Sequence, residues 1–268
     1  MKPIVDAAWL ADHLADVVVC HVGTAMTGPD PYGDYLAGHL PGAHYVSLED
    51  MLAGPAAPVV GRHPLPTPTA FAEGLGAIGI DTETAVVAYD DRGGAFAARL
   101  AWMLRIIGQE AAVLDGGLGA WAEPLETGPV AAPPTDRVPV EWPAEALADA
   151  DDVQAHLDAE GVVVDSREPA RYRGETEPID ARAGHVPGAI NLPFADNLDD
   201  GRFRPTVALA ARFEPVARDP HAIVYCGSGV TACHNALAIE AAGLPRPRVY
   251  VGSWSGWSTD PARPIATG

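Results

Sequence analysis

The chain has 268 residues, enough for one large or two medium domains, and a formal net charge of −19. Such acidity argues against binding to nucleic acid or to an anionic membrane, and no apolar stretch approaches the roughly 20 residues that span a bilayer. The first residues lack the apolar core of a signal peptide and the 3 cysteines are too few for a disulfide framework, so we predict a cytoplasmic protein.

Short valine-rich strands alternate with helical stretches in the first half of the chain. Asp6 is a suitable N-cap for an amphipathic helix that carries Trp9 and Leu10. The predicted helices are 7–15, 69–78 and 95–108, and the predicted strands are 17–21, 45–47, 85–89 and 112–114. Because these strands are apolar almost throughout, we expect a mostly parallel sheet with helices on both faces.

The stretch 125–144 is rich in Pro and poor in hydrophobic periodicity, which is typical of a linker. It separates a predicted first domain at 1–124 from a second at 145–268. The predicted helices of the second domain are 146–159, 206–213 and 231–242, and its strands are 162–165, 190–192, 222–225 and 249–251.

The two halves repeat one another. The motif GHLPGA at 38–43 returns as GHVPGA at 184–189, and VAYD at 87–90 returns as IVYC at 223–226. The segments DGGLGAW and VGSWSGW share the 136-residue offset of the second pair. Two repeats of this length indicate a duplicated domain rather than a solenoid. We therefore predict two tandem α/β domains, in which Asp90 and Cys226 occupy equivalent positions.

Cys226 lies between an apolar strand and a predicted helix, at the start of a glycine-rich loop. Gly227 and Gly229 allow the loop backbone left-handed or crowded conformations. Backbone N–H groups and the positive end of the helix dipole both favour the thiolate form of a cysteine in this position. The sequence therefore predicts a nucleophilic cysteine.

The loop CGSGVTA at 226–232 resembles the active-site loop of the rhodanese superfamily, most closely that of the 3-mercaptopyruvate sulfurtransferases. The repeat extends the resemblance to tandem-domain members over almost the whole chain. Cysteine phosphatases share the general architecture but place an arginine six residues after the cysteine, where this chain has Ala232. Phosphoryl chemistry is thus disfavoured.

The resemblance implies a sulfurtransferase. The 9 histidines lack the spacing of metal ligands and no Cys-x-x-Cys pair is present, so we expect no metal site, and we expect no cofactor. The cysteine would take a sulfane sulfur from a small donor, carry it as a persulfide, and pass it to cyanide or to a thiol such as thioredoxin or a small thiol. Ser228 would hydrogen-bond the substrate or the reacting sulfur. The first domain, with Asp90, would be non-catalytic. The loop residues implied to hold the sulfur through their amides are Gly227, Gly229, Val230 and Thr231.

The donor is predicted from charge. Thiosulfate-specific relatives usually carry Arg and Lys in the loop, whereas Gly227 and Ser228 are uncharged, which favours the monoanion 3-mercaptopyruvate. Arg171 matches a family arginine that binds the donor's carboxylate. Arg182 is the candidate for a second such arginine, although it lies closer to His185 than the family pattern places it. Thiosulfate:cyanide transfer stays an alternative, as does a non-catalytic sulfur-carrier or redox-sensing module.

His39, in the first GHxPG motif, is the candidate for a Ser-His-Asp relay with Ser228 that the resemblance implies. The aspartate of that relay would follow the first strand, where the chain has Cys20 and His21 instead. His185 occupies the same motif in the second half. The alternative interpretation of His39 is therefore structural, as a side chain that ties a turn to the backbone.

Overall fold

The computed structural model describes residues 1–26 and 28–268, which form two compact units. The first unit contains residues 1–54 and 65–142, and the second contains residues 55–64 and 143–268. Ten residues from the first half of the sequence thus pack within the second unit. The sequence analysis attached no role to this segment.

The first unit is built on a five-stranded parallel sheet with the order β1-β5-β4-β2-β3. Asp6 caps the first helix as expected, since its carboxylate accepts a hydrogen bond from the amide of Trp9 at 2.8 Å. Four of the five residues of β4 are buried, as expected for a strand covered on both faces. The strands are β1 Ile4–Val5, β2 Val17–Gly23, β3 His44–Ser47, β4 Ala85–Tyr89 and β5 Ala111–Leu114. The helices are α1 Ala7–His13, α2 Pro31–Ala37, α3 Leu48–Met51, α4 Pro68–Ala77 and α5 Ala97–Ile106.

The Pro-rich stretch after β5 lies along the first unit without regular structure. The amide of Thr135 donates to the carbonyl of Gly76 at 2.9 Å. The buried guanidinium of Arg137 donates to Gln109 Oε1 at 2.6 Å, and Trp142 Nε1 donates to the carbonyl of Pro66 at 2.9 Å. Residues 125–142 therefore contribute to the packing of this unit.

The second unit repeats the first, with the sheet order β6-β12-β11-β7-β8, again parallel. A short antiparallel hairpin, β9 with β10, is an addition that the sequence did not reveal. The strands are β6 Leu147–Ala148, β7 Val163–Asp165, β8 Ile190–Asn191, β9 Leu198–Asp199, β10 Arg202–Phe203, β11 Ile223–Tyr225 and β12 Arg248–Tyr250. The helices are α6 Ala150–Asp158, α7 Pro169–Tyr172, α8 Thr206–Arg212, α9 Glu214–Ala217, α10 Thr231–Ala241 and α11 Ser253–Trp257.

The matching strand orders confirm the predicted fold class of two α/β domains with parallel sheets flanked by helices. Strands β4 and β11 occupy the same place in their sheets, with two strands on one side and two on the other. Asp90 and Cys226 follow these strands directly, at the carboxyl edge of each sheet, where ligands of α/β proteins bind. Trp254 and Trp257 are fully buried in the core of the second unit. Within the described ranges, no helix is long and apolar enough to cross a membrane.

Candidate active site

Hydrogen bonds to both the amide and the carbonyl of Cys226 hold this residue at the end of β11. Its amide donates to Ser253 Oγ at 3.1 Å, and its carbonyl accepts from the amide of Trp254 at 2.9 Å. Ser253 takes a positive φ of 53°, an unusual conformation for a residue with a side chain, and its hydroxyl donates to the carbonyl of Tyr250. The position of the cysteine is therefore set by the start of α11 as well as by its own strand.

The loop after Cys226 turns tightly through Gly229. This residue has a φ of 79°, and a Cβ atom on it would lie 2.4 Å from the carbonyl oxygen of Val251. Its amide donates to the Sγ atom of Cys226 at 3.2 Å. Only glycine fits here, and its presence points one backbone donor at the sulfur.

Several other amide groups of the loop have no hydrogen-bond acceptor within residues 1–26 and 28–268. Helix α10 begins at Thr231 with no side-chain cap, and the amide of Cys233 donates to the carbonyl of Val230 at 3.1 Å, which leaves the N–H groups of the first two residues of the helix. Such groups, together with the helix dipole, favour a negatively charged ligand. The residues concerned are Gly227, Ser228, Val230, Thr231 and Ala232.

The other two cysteines lack this setting. Cys20 is fully buried, and burial raises the pKa of its thiol to about 12. The thiol of Cys233 is also buried and donates to the carbonyl of Gly229 at 3.2 Å. Cys226 is buried as well, and it differs from the other two in its place at the start of the loop, where the amide of Gly229 donates to its sulfur.

The hydroxyl of Ser228 has a histidine partner that the sequence analysis missed. His63 Nδ1 lies 2.8 Å from Ser228 Oγ. His63 belongs to the segment 55–64, which packs on α11: the amide of Arg62 donates to Ser255 Oγ at 3.1 Å, and Thr259 Oγ1 donates to the carbonyl of Pro58 at 2.6 Å. A serine in the cysteine loop therefore shares a hydrogen bond with a side chain from far earlier in the chain.

A sequence signal for this segment exists in the spacing of the repeat. From the GHxPG motif to the residue after the central strand, the first half runs from 38 to 90 and the second from 184 to 226. The first interval is thus ten residues longer, and residues 55–64 lie within it. An insertion into one copy of a duplicated domain is where a new function can be added.

His39 has a different environment from the one predicted. Its Nδ1 lies 2.9 Å from the carbonyl oxygen of Leu40 and its Nε2 lies 2.9 Å from that of Gly128. The ring is fully buried and stacks on Tyr35. Because backbone oxygens of its own unit engage both ring nitrogens, the structure does not support the prediction that His39 partners the loop serine. It fits the structural alternative.

Arg171 is at the loop, as its predicted role requires. A Cβ atom on Gly227 would lie 3.4 Å from Arg171 Nη1 and 3.2 Å from Arg62 Nη2. The other nitrogens of Arg171 are held by carboxylates, with Nη2 at 2.6 Å from Glu177 Oε1 and at 3.1 Å from Asp180 Oδ2. Two guanidinium groups thus lie beside the loop that the sequence presents as uncharged.

The two carboxylates of this cluster differ in their electrostatics. Burial raises the pKa of Asp180, an effect that the neighbouring Arg62 and Arg171 reduce without cancelling. Burial acts in the same direction on Glu177, but hydrogen bonds from Arg171 and from two backbone amides outweigh it and lower the pKa of Glu177. Glu177 is therefore the firmly ionised anchor of the cluster.

Arg182 has a structural environment. It donates to the carbonyl of Ser258 at 2.7 Å and to three further carbonyls, those of Trp257, Asp260 and Arg263. Carbonyls at the end of a helix lack intrahelical donors, and an arginine that satisfies them stabilises that end. Since the hydrogen bonds of Arg182 go to the chain around the end of α11, the structure does not support its prediction as a substrate ligand.

Comparison with known proteins agrees with this arrangement. The profile of the rhodanese-like domain matches residues 8–124 and 149–260. The chain is 46% identical over 266 residues to a probable 3-mercaptopyruvate sulfurtransferase of Pseudomonas aeruginosa, covering 94% of this chain and 93% of that protein. It is 40% identical over 261 residues to SseB of Mycobacterium tuberculosis, named a putative thiosulfate sulfurtransferase, covering 94% and 91%.

The fold also matches solved structures. SseA of Escherichia coli, described as a 3-mercaptopyruvate sulfotransferase with the rhodanese fold, superposes with a TM-score of 0.83 at 31% identity, covering 95% of this chain and 99% of that one. Two copies of the domain, with the cysteine loop in the second, are present in sequence and in structure. The chain belongs to the rhodanese family.

Proposed function

We propose that the protein transfers a sulfane sulfur from 3-mercaptopyruvate to a thiol or to cyanide through a persulfide on Cys226. The observation that carries this proposal is the setting of the Cys226 sulfur. Its Sγ atom accepts the amide of Gly229 at 3.2 Å. Five further amides of the loop and helix start have no acceptor within the described part of the chain, those of Gly227, Ser228, Val230, Thr231 and Ala232. A second, anionic sulfur on Cys226 would find donors there.

The first half-reaction starts from the Cys226 thiolate, which attacks the sulfur of the donor. An S–S bond forms and the bond between sulfur and C3 of the donor breaks, with its electron pair passing to C3. The carbanion is stabilised as the enolate of pyruvate. The proton that the donor thiol carried moves to C3, so that the products are pyruvate and an ionised persulfide.

Ser228 and His63 are suited to move that proton. Their hydrogen bond of 2.8 Å joins a hydroxyl in the cysteine loop to an imidazole, the side chain best matched to proton transfer near neutral pH. In this role Ser228 exchanges a proton with the donor and His63 with Ser228. The pair takes the place that the sequence analysis gave to Ser228 and His39.

Arg171 is proposed to hold the donor's carboxylate. Its Nη1 atom lies beside Gly227, while Glu177 and Asp180 orient the rest of the guanidinium. A guanidinium fixed in this way loses little side-chain entropy when a carboxylate binds. The absence of a side chain at Gly227 leaves space between this group and the cysteine.

The second half-reaction regenerates the enzyme. The acceptor, a thiolate or cyanide, attacks the outer sulfur, the S–S bond breaks, and Cys226 leaves as a thiolate. With cyanide as acceptor the product is thiocyanate, and with a small thiol or thioredoxin it is a persulfide of the acceptor. Because the donor's product leaves before the acceptor reacts, the kinetics should be ping-pong. Free cysteines at 20, 226 and 233 agree with a reducing cytoplasm.

Thiosulfate is the second candidate donor. The two guanidinium groups near Gly227 place hydrogen-bond donors for an anion beside the loop and weaken the inference drawn from the loop's own uncharged residues. The relative from Mycobacterium tuberculosis is also named for thiosulfate. The donors are distinguished by rate.

The test is the initial rate with each donor, with cyanide as acceptor. We expect kcat/KM for 3-mercaptopyruvate to exceed that for thiosulfate at least about tenfold, or about 1.4 kcal/mol. The Cys226→Ser variant should be inactive with both donors, and Cys233→Ser, the matched control, should stay active. The reverse donor order would select thiosulfate. A persulfide on Cys226 detected by mass spectrometry without turnover of either donor would select a sulfur-carrier or redox-sensing module instead.

A further inference from the structure

Arg62 lies at the catalytic loop although no sequence motif assigned it a role. Its Nη2 atom is 3.2 Å from the position of a Cβ atom on Gly227, and Nη1 of Arg171 is 3.4 Å from the same point. The two guanidinium groups thus converge on the one residue that follows the cysteine. An alanine at 227 would meet both.

One carboxylate holds both groups in this arrangement. Asp180 Oδ1 forms an ion pair with Arg62 Nη1, and Oδ2 accepts from Arg171 Nη2 at 3.1 Å. Neither Nη2 of Arg62 nor Nη1 of Arg171 has a hydrogen-bond acceptor among residues 1–26 and 28–268. The nitrogens nearest Gly227 are therefore the ones left for a ligand.

The backbone of Arg62 is fixed as firmly as its side chain. Gly61 before it has a φ of 87°, and a Cβ atom there would lie 2.4 Å from the carbonyl oxygen of Gly252. The amide of Arg62 donates to Ser255 Oγ at 3.1 Å, and His63 after it is bound to Ser228. Arg62 is thus preorganised, which reduces the entropic cost of binding a ligand.

We propose that Arg62 is the second guanidinium that binds the α-keto carboxylate end of the donor, opposite Arg171, and that Asp180 sets the distance between the two. This inference rests on the proposed function and supplies the ligand that the sequence analysis sought at Arg182. A planar carboxylate accepts hydrogen bonds from two flanking guanidinium groups, one on each oxygen or with the keto oxygen included.

The charge of the cluster bears on which anion is bound. Arg62, Arg171 and Arg167 are balanced by Asp180, Glu177 and Asp165, so these six side chains carry no net charge when ionised. Affinity then comes from directed hydrogen bonds rather than from a strong positive potential. Such a site favours a monoanionic carboxylate over the dianion thiosulfate, for which a net positive site would be the better match.

The kinetic test compares Arg62→Met and Arg62→Lys with Arg173→Met. Arg173 is the matched control, because it is an exposed arginine of the same part of the unit that pairs with Glu175 at 2.7 Å. We expect Arg62→Met to raise KM for 3-mercaptopyruvate about tenfold or more with a smaller change in kcat, Arg62→Lys to give an intermediate KM, and Arg173→Met to match the wild type. A loss confined to kcat would make Arg62 a support for His63 and overturn the proposal.

A binding test separates this inference from the proposed function. Calorimetry with Cys226→Ser, which cannot turn over, measures the affinity of pyruvate and of thiosulfate directly. We expect Cys226→Ser/Arg62→Met to bind pyruvate about tenfold more weakly than Cys226→Ser. If the wild type fails to use 3-mercaptopyruvate, the proposed function falls and this titration still decides Arg62. Equal affinity in the two variants, with melting curves that show both folded, would overturn the inference.

Discussion

The loops after β4 and β11 both direct backbone N–H groups at the side chain that follows the strand, but they differ in how many of these groups that side chain binds. In the first unit the buried Asp90 carboxylate accepts four backbone N–H groups, each at 2.8 Å, from Arg92, Gly94, Phe96 and Ala97. In the second unit the sulfur of Cys226 accepts the amide of Gly229 at 3.2 Å. Both loops are built to surround an anion. The first is filled by its own side chain, and the second has the donors that the proposed persulfide would need.

The backbone supports of the two loops correspond at the repeat offset. The amide of Leu118 donates to the carbonyl of Asp90 at 3.2 Å, as the amide of Trp254 donates to that of Cys226 at 2.9 Å. The helices after the two loops begin at different positions. Helix α10 begins at Thr231, and the residue that matches Thr231 in the first unit is Ala95, which lies before the start of α5 at Ala97. The loop after β11 is therefore shorter, and the start of its helix is closer in sequence to Cys226 than the start of α5 is to Asp90.

Replacing Cys226 by Asp gives the second loop the residue of the first. We expect no sulfur transfer, because a carboxylate cannot accept the sulfur, together with a higher melting temperature as the carboxylate takes up loop amides. Rates with 3-mercaptopyruvate and thermal melts measure both. Cys226→Ser is the control, equally inactive and without the gain in melting temperature. A melting temperature of Cys226→Asp below that of Cys226→Ser would show that the two loops are not equivalent anion sites.

Removing the Asp90 carboxylate tests, through the free energy of unfolding, whether the first loop depends on an anion. Asp90→Ala leaves four donors without their acceptor and should lower the free energy of unfolding by about 3 to 5 kcal/mol. Urea denaturation measures it. Asp91→Ala, at the exposed neighbouring position, should cost less than about 0.5 kcal/mol. A loss as small for Asp90→Ala as for Asp91→Ala would contradict the comparison.

His63 and His39 belong to different units, and we expect their substitutions to affect different properties. His63→Asn removes the partner of Ser228 and should lower kcat by about a hundredfold with little change in KM. His39→Gln should lower the melting temperature and leave kcat within about threefold of the wild type, because His39 bonds to carbonyls of the first unit. Steady-state rates at saturating donor and thermal melts measure both. A loss of kcat in His39→Gln with normal activity in His63→Asn would restore the role predicted from the sequence.

The carboxylates near Gly227 should give the smallest effects and a pH signature. Glu177 has a lowered pKa, so its ionised form stabilises the fold above the pKa it has when unfolded, and that contribution disappears as the pH falls through its folded pKa. Glu177→Gln should thus be about 1 to 3 kcal/mol less stable than the wild type at neutral pH, and the difference should shrink on acidification.

The pKa of Asp180 is shifted in the opposite direction to that of Glu177. Its pKa is raised, so its ionisation costs stability as the pH rises, and Asp180→Asn should lose less stability at neutral pH than Glu177→Gln. Urea denaturation of both variants between acidic and neutral pH measures the pair. A greater loss at neutral pH for Asp180→Asn would reverse the assignment of the anchoring carboxylate.

Much of the catalytic unit was predictable because its signals are local. The strand before Cys226, the glycines after it and the helix that follows lie within 20 residues, and each residue type restricts its own backbone. The repeat added the fold class, since two equal sets of strands and helices bury their apolar faces in the same way. Arg171 lies beside the loop, and its role as a ligand of the donor's carboxylate stays a prediction.

The sequence by itself determined the two α/β domains, the cysteine loop and the presence of Asp90 at the position that matches Cys226. Only the tertiary structure decided which side chains surround that loop. His63 and Arg62 reach it because segment 55–64 approaches α11 where Gly61 and Gly256 carry no side chain, a contact across nearly 200 residues. Periodicity and motif spacing report on neighbours in the chain, whereas the His63 and Arg62 contacts depend on close packing between distant segments.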